Sequence, residues 1–235
     1  MLLPAAHQPA FSLSDMRTSR LFLLPLAFLG ACASVDSIPT NYAGADGGKV
    51  VVGIGAAPGT SYSSYALQFR KRVNAGAAAQ PATGRFIYFQ TNIFSRQTPD
   101  YTANGENGVV LVEALPPGDY EIYNFDVFYN GGTVQKNFAS KTDVSIPFSV
   151  KPGATTYLGN YQANKLTGKN LLGMPLPAGA VFIVSDRLAT ELPIAQAKAK
   201  AALGTPENAT PDPDRLGNPF FTSPKAALEA GPDAR

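Results

Sequence analysis

Short apolar runs separated by turn residues dominate the chain from residue 49 onward, and their spacing predicts a β-sandwich. Strands are expected at 49–56, 62–73, 85–92, 108–115, 120–129, 134–139, 144–150 and 155–161, with a last one at 180–184. The sharpest alternation sets Val144, Ile146, Phe148 and Val150 against Asp143, Ser145, Ser149 and Lys151, as a strand with one buried and one wet face requires. Residues 120–129 are apolar on both faces, which marks a central strand. Between the runs stand Pro116-Pro117-Gly118-Asp119, Asn130-Gly131-Gly132 and Lys151-Pro152-Gly153. Proline presets φ and glycine accepts positive φ, so each is a tight reversal.

Beyond 184 the period changes. Leu188, Leu192, Ala195, Ala199 and Ala202 recur every three or four residues and predict a helix within 185–203, packed on or beside the sandwich. Pro193 leaves two versions open: the helix begins near Thr190 with the proline in its first turn, or it bends there. From Gly204 onward Pro, Asn, Asp and Gly dominate, so 204–235 is expected to be a disordered tail. Residues 33–48 are small and polar and read as a flexible tether. The expected fold class is therefore all-β, an antiparallel β-sandwich over 49–184 with a C-terminal helix and disordered ends.

The first 31 residues follow another pattern. Met16-Arg17-Thr18-Ser19-Arg20 forms a basic head, Leu21 to Leu29 is almost wholly apolar, and small Gly30 and Ala31 precede Cys32. These are the parts of a secretory signal peptide, and an apolar run of about a dozen residues is too short to span a bilayer. Leu29-Gly30-Ala31-Cys32 resembles the bacterial lipobox. The resemblance implies that residues 1–31 are removed and that Cys32 is thioether-linked to diacylglycerol at the head of a lipidated tether, 32–48. Two or three acyl chains hold durably where one would be marginal. Ala33, in place of an inner-membrane retention aspartate, makes the expected location the cell envelope, at the outer membrane facing the periplasm. Residues 1–15 do not resemble the start of such a signal, so Met16 is the expected first residue, with an extended leader as the alternative.

Composition narrows the chemistry. Charged residues make up only 15%, while 22 glycines, 20 prolines, 14 phenylalanines and 10 tyrosines suit many short strands and turns. A net charge of +2 supplies no electrostatic drive towards nucleic acid. A single cysteine forbids an intramolecular disulfide, and the single histidine, His7, lies before the cleavage point. The mature chain thus lacks Ser-His-Asp and Cys-His nucleophilic sets and the usual zinc sets, and neither cofactor nor metal is expected.

Four weaker candidates remain. Glu113, Asp119, Glu121 and Asp126 are the acids nearest the strand centre, where a carboxylate pair could support glycosidase-type chemistry; solvent-facing strand and turn positions are the plainer assignment. Gly53-Ile54-Gly55-Ala56-Ala57-Pro58-Gly59 has the wrong spacing for a nucleotide loop and reads as a loop after the first strand. Asp100 to Gly108 concentrates oxygen ligands but lacks the alternating acids of a calcium loop, so a polar hairpin turn is expected. Tyr123 and Tyr129 with Tyr101 could form an aromatic platform. Tyr120, Ile122, Ile146, Phe148 and Tyr157 are expected in the sandwich core rather than in a site.

Residues 108–161 contain Leu115-Pro116-Pro117-Gly118-Asp119-Tyr120 and, after a strand pair, Lys151-Pro152-Gly153-Ala154-Thr155-Thr156-Tyr157-Leu158-Gly159. This stretch resembles the prealbumin-like or carboxypeptidase-regulatory-like sandwich of bacterial lipoproteins. The resemblance implies a fold and an accessory role, not an activity. The expected function is a lipid-anchored envelope lipoprotein whose sandwich is structural or binds a partner, without catalysis. The alternative is a carbohydrate-binding or hydrolytic module acting on envelope glycans. Expected partners are the membrane, through the lipid, and an envelope protein or glycan.

Overall fold

The computed structural model describes residues 37–58, 62–73, 81–90, 97–103 and 105–229. The leader, Leu29, Gly30, Ala31, Cys32 and the tether up to residue 36 lie outside the described residues. Its strands are β1 Gly48–Ala56, β2 Tyr62–Lys71, β3 Thr83–Phe89, β4 Tyr101–Ala103, β5 Glu106–Leu115 and β6 Gly118–Asn130. Then come β7 Gln135–Phe138, β8 Ile146–Val150, β9 Thr155–Lys169, β10 Pro175–Ser185, β11 Glu207–Asn208 and β12 Phe221–Thr222. Helix α1, Leu188–Lys198, follows β10, and α2, Pro224–Glu229, follows β12.

The strands form two sheets. The larger runs β12-β10-β9-β1-β5-β4 with β11 added beside β9, and the smaller runs β3-β2-β6-β7 with β8 also on β6. Strand β6 is thus central, as its two apolar faces require. The larger sheet is mixed, because β1 pairs with β9 in parallel, as do β10 with β12 and β11 with β9, which corrects the purely antiparallel expectation. Its long connections run through the smaller sheet: β1 leads to β2, and β8 returns to β9.

The core lies between the sheets and is rich in aromatic rings. Phe69 stacks on Phe86 at 4.4 Å, Tyr120 on Phe148 at 5.4 Å, and Phe125 of the small sheet meets Phe182 of the large one at 5.3 Å. Such offset and edge contacts add to the burial of area. Tyr120, Ile122, Ile146 and Phe148 are core residues as expected. Val144, Ile146, Phe148 and Val150 are all buried, in agreement with their alternation.

Within the described residues, 37–48 and 204–229 are more ordered than expected. Within the expected tether, Ile38 is buried and donates to the Thr83 carbonyl at 2.7 Å, while Tyr42 donates to and Thr40 accepts from Ala114. One apolar side chain and a few backbone bonds suffice to lay residues 37–48 against the sheets. The tail behaves likewise. Phe221 stacks on Phe182 at 5.8 Å and meets Phe125 and Tyr161 edge-on, and Phe220 packs on Phe125 at 5.2 Å, so a stretch that is polar on average is held by a few apolar anchors. Composition averages hide such anchors.

Candidate functional site

On its outer face the large sheet carries α1, and here the site is built. Along β1, Val50, Val52, Ile54 and Ala56 point to the core, while Val51, Gly53 and Gly55 point outward. The segment Gly53–Ala56 is strand, within the strand expected at 49–56, and not part of the loop read over 53–59. Gly55 lies across from Gly108 of β5 and Gly53 is two residues along on the same face of β1, so the three form a floor without side chains. Glycine inside a strand marks close approach of another group. A Cβ on Gly53 would sit 2.3 Å from Glu191 Oε1, and one on Gly55 would sit 2.8 Å from the Tyr101 hydroxyl.

A bulge in β9 completes the arrangement. Val51 pairs with Tyr157 and Gly53 with Asn160, so Leu158 and Gly159 together oppose Val52. Gly159 takes φ +95°, a left-handed conformation that favours glycine. The extra residue shifts the alternation and turns Tyr157 and Asn160, three apart, to the same side. Tyr157 is fully buried, but under α1 with Val51, Val110 and Ala195, which corrects its expected place in the sandwich core.

Helix α1 supplies the acid. It begins at Leu188, where Asp186 Oδ1 accepts from the Leu188 N–H at 2.9 Å, and it carries Pro193 beyond its first turn. The version that starts near Thr190 does not fit, because the helix begins earlier; Pro193 lies inside it, as the other version requires. Leu188, Leu192, Ala195 and Ala199 face the sheet as the stripe predicts, and Glu191 lies among them.

Glu191 is only 2% exposed. Its Oε2 accepts from the Tyr157 hydroxyl at 2.7 Å and its Oε1 from Asn160 Nδ2 at 2.6 Å. Asn160 Nδ2 also donates to the Tyr101 hydroxyl at 2.9 Å, and the Tyr157 oxygen accepts the Arg187 N–H at 3.2 Å. Burial raises the Glu191 carboxyl above the ordinary range, against the lowering pull of Tyr157, Asn160 and Arg187. The Tyr157 hydroxyl is pushed up by burial and then by the Glu191 charge, and Tyr101 is pushed up mainly by burial. Gln162 is buried beside Gly55 with its amide unpaired among the described residues.

Beside this network lies a cleft of about 820 Å³, bounded by Tyr101 and by α1 residues including Leu188 and Ile194. Its charged groups are engaged. Arg187 pairs with Glu106 at 2.7 Å, and Asp186 Oδ2 accepts from Asn208 at 2.7 Å. Glu191 thus acts as a buried pin that fastens α1 to the sheet through neutral donors.

The chain matches no family model, no curated protein and no solved structure.

The candidates read from the sequence do not assemble. Glu113 is on β5, half-buried and raised by burial despite a bond from Thr40. Asp119, Glu121 and Asp126 are on β6. Asp119 accepts from Ser149 at 2.6 Å, and Asp126 faces Arg85 at 3.5 Å. Burial would raise Glu121, but Ser145 at 2.6 Å and Arg70 at 2.7 Å outweigh it and hold it low. Tyr123 lies under the Arg70 guanidinium at 4.6 Å, Tyr129 packs edge-on to Tyr62 at 6.3 Å, and Tyr101 is in the other sheet. In the expected polar turn, Asp100 accepts from the Val110 N–H and pairs with Lys198.

Proposed function

We propose that this chain is an envelope lipoprotein, held by lipid on Cys32 to the outer membrane on its periplasmic side, whose sandwich is a structural or partner-binding module and not a catalyst. The observation that carries the reading is Leu29-Gly30-Ala31-Cys32 behind a short apolar run. Ser37 already pairs with Thr83, so five links from Cys32, at about 3.3–3.6 Å each, keep the sandwich within roughly 20 Å of the anchor. The non-catalytic part is supported by the cleft, where Glu191, Asp186 and the neighbouring Glu106 are each engaged in bonds that build the fold.

The prealbumin-like assignment belongs to the same reading. Pro117-Gly118-Asp119-Tyr120 opens β6 at the centre of the small sheet, and Pro152-Gly153 precedes β9 at the centre of the large one. The resemblance reads each such turn as the start of a core strand, and these positions support that reading.

Radiolabelled palmitate fed to cells making the full chain tests the anchor. Label is expected in wild-type protein that fractionates with the outer membrane and not in Cys32→Ala. Wild-type protein without label, or label persisting in Cys32→Ala, would overturn the reading.

A further inference from the structure

We propose that the tip of the β9–β10 hairpin is an insertion loop for an anionic lipid bilayer, with Leu171, Leu172 and Met174 entering the acyl boundary and Lys165 and Lys169 meeting lipid phosphates. Past Ala163 the two strands leave the body: β9 is buried on both faces up to that residue, and beyond it one face is half-buried and the other, with Lys165, Thr167 and Lys169, is exposed. The free ribbon pairs Thr167 with Pro177 and Lys169 with Pro175. At its tip Leu171 is fully exposed, Leu172 82% and Met174 52%, with Leu176 behind them at 38%. Contiguous apolar surface of this kind marks a place that another apolar phase covers.

The backbone of the tip is prepared for that phase. The Asn170 N–H donates to the Met174 carbonyl and the Gly173 N–H to the Asn170 carbonyl, both at 2.9 Å. Asn170 Oδ1 accepts the N–H groups of Leu172 and Met174, again at 2.9 Å. Four donors at the tip are therefore satisfied within the tip, and moving them out of water forfeits little. A protein groove that read this loop by its main chain would find those donors occupied. A bilayer needs only the apolar side chains.

Charge selects the kind of bilayer. From Val144 to Ser185 the chain has no Asp or Glu, and its cations there are Lys151, Lys165 and Lys169. Lys165 and Lys169 are exposed and four apart on one strand, hence on one face of the ribbon, and long lysine stems let ammonium groups reach headgroups while neighbours insert. Clustered cations beside an apolar loop favour anionic lipid.

The tip and the start of the body are at opposite ends. Ser37 pairs with Thr83, which lies opposite Arg70 at one end of β2, whereas Tyr62 at the other end bonds Gly179 at the base of the ribbon. Fifteen residues of β9 at about 3.3 Å each separate them by tens of ångströms. With Cys32 lipidated, both points reach one bilayer when the sandwich lies lengthwise on it. That orientation rests on the Cys32 reading; the insertion does not.

The chain has no tryptophan, so one introduced residue reports its own surroundings. Leu172→Trp and, as a control at the far end, Val73→Trp are made in the full chain and reconstituted with phosphatidylcholine vesicles, with or without phosphatidylglycerol, carrying brominated acyl chains. With phosphatidylglycerol, Leu172→Trp emission should shift to the blue and be quenched at least about two-fold, with Val73→Trp unchanged. Lys165→Glu with Lys169→Glu in the Leu172→Trp background should lose most of that quenching. Leu172→Trp left unquenched while the chain floats with the vesicles would overturn the proposal, as would equal quenching in phosphatidylcholine alone or equal quenching of Val73→Trp. A blue shift without vesicles that grows with protein concentration would assign the tip to a second copy of the chain instead. Palmitate labelling of Cys32 reads the anchor separately, so the two failures are distinguishable.

Discussion

The two faces of the large sheet are made by the same strands under opposite rules. Its inner face presents Val52, Ile54, Leu158 and Phe182 to aromatic side chains of the small sheet, so cohesion follows from area and fit. Its outer face sets Glu191, Asn160 and Tyr157 among apolar neighbours, so cohesion there also needs each polar group to keep its partner. Volume is the vulnerable quantity inside. Outside it is the spacing between α1 and a floor of glycines.

The largest expected effect tests the inner face. Phe148 is 5% exposed and lies against Tyr120 and Phe69. Phe148→Ala should cost roughly 3–5 kcal/mol, from lost transfer energy and a residual cavity. That is a large share of the ~5–15 kcal/mol that holds a typical domain. Chemical denaturation measures it, and an unchanged midpoint would remove Phe148 from the core.

A smaller effect is expected outside, from adding one carbon. The Gly53→Ala Cβ would lie within 2.6 Å of both Glu191 oxygens and 2.5 Å from Asn160 Nδ2, so the helix pin must shift. Overpacking of this kind costs about 1–3 kcal/mol. The loss should be local, seen as faster amide exchange in Leu188–Lys198 with β2 and β6 protected as before. Uniform loss across both sheets would show that the faces do not act separately.

The inner face was legible in the sequence because alternation reports it directly: Ile146, Phe148 and Val150 are spaced by the strand period, and all are buried. The outer face was not, for three physical reasons. The bulge at Gly159 breaks the period, so Tyr157 and Asn160 read as belonging to opposite sides. Glu191 follows the helical stripe of Leu188 and Ala195, but a stripe drawn through apolar residues alone passes over a charged one. Gly53 and Gly55 fell both in the strand expected at 49–56 and in the stretch read as a loop over 53–59, and nothing in either reading marked them as a floor for another group. One signal was present: glycines alternating with Val52, Ile54 and Ala56 keep the strand period, and only the outward set is stripped of side chains. The tail escaped for a similar reason, since a few apolar residues, Phe220 and Phe221 above all, attach a stretch whose average composition is polar.

The subtlest test changes charge on the outer face and leaves shape alone. Burial raises the Glu191 carboxyl in the folded chain above its unfolded value, against bonds from Tyr157 and Asn160 and the nearby charge of Arg187. Between those two values the folded state holds the extra proton, so stability falls as pH rises. This contribution is fully present below the unfolded carboxylate value and lost as pH climbs through the folded one. Glu113, also raised by burial, adds the same slope, while Glu121, held low by Ser145 and Arg70, adds stability that is lost on acidification. A pH profile of the wild type alone therefore mixes signs. Glu191→Gln removes one of the three groups at nearly constant volume, and the difference between the two proteins isolates it. Denaturation midpoints should agree in acid and then separate in favour of Glu191→Gln as pH rises above the ordinary carboxylate range, levelling off once Glu191 is ionised. A difference that stays constant across this range would mean that the pin carries the same charge in the folded and unfolded chains, and the outer face would then be held by the same rule as the inner one.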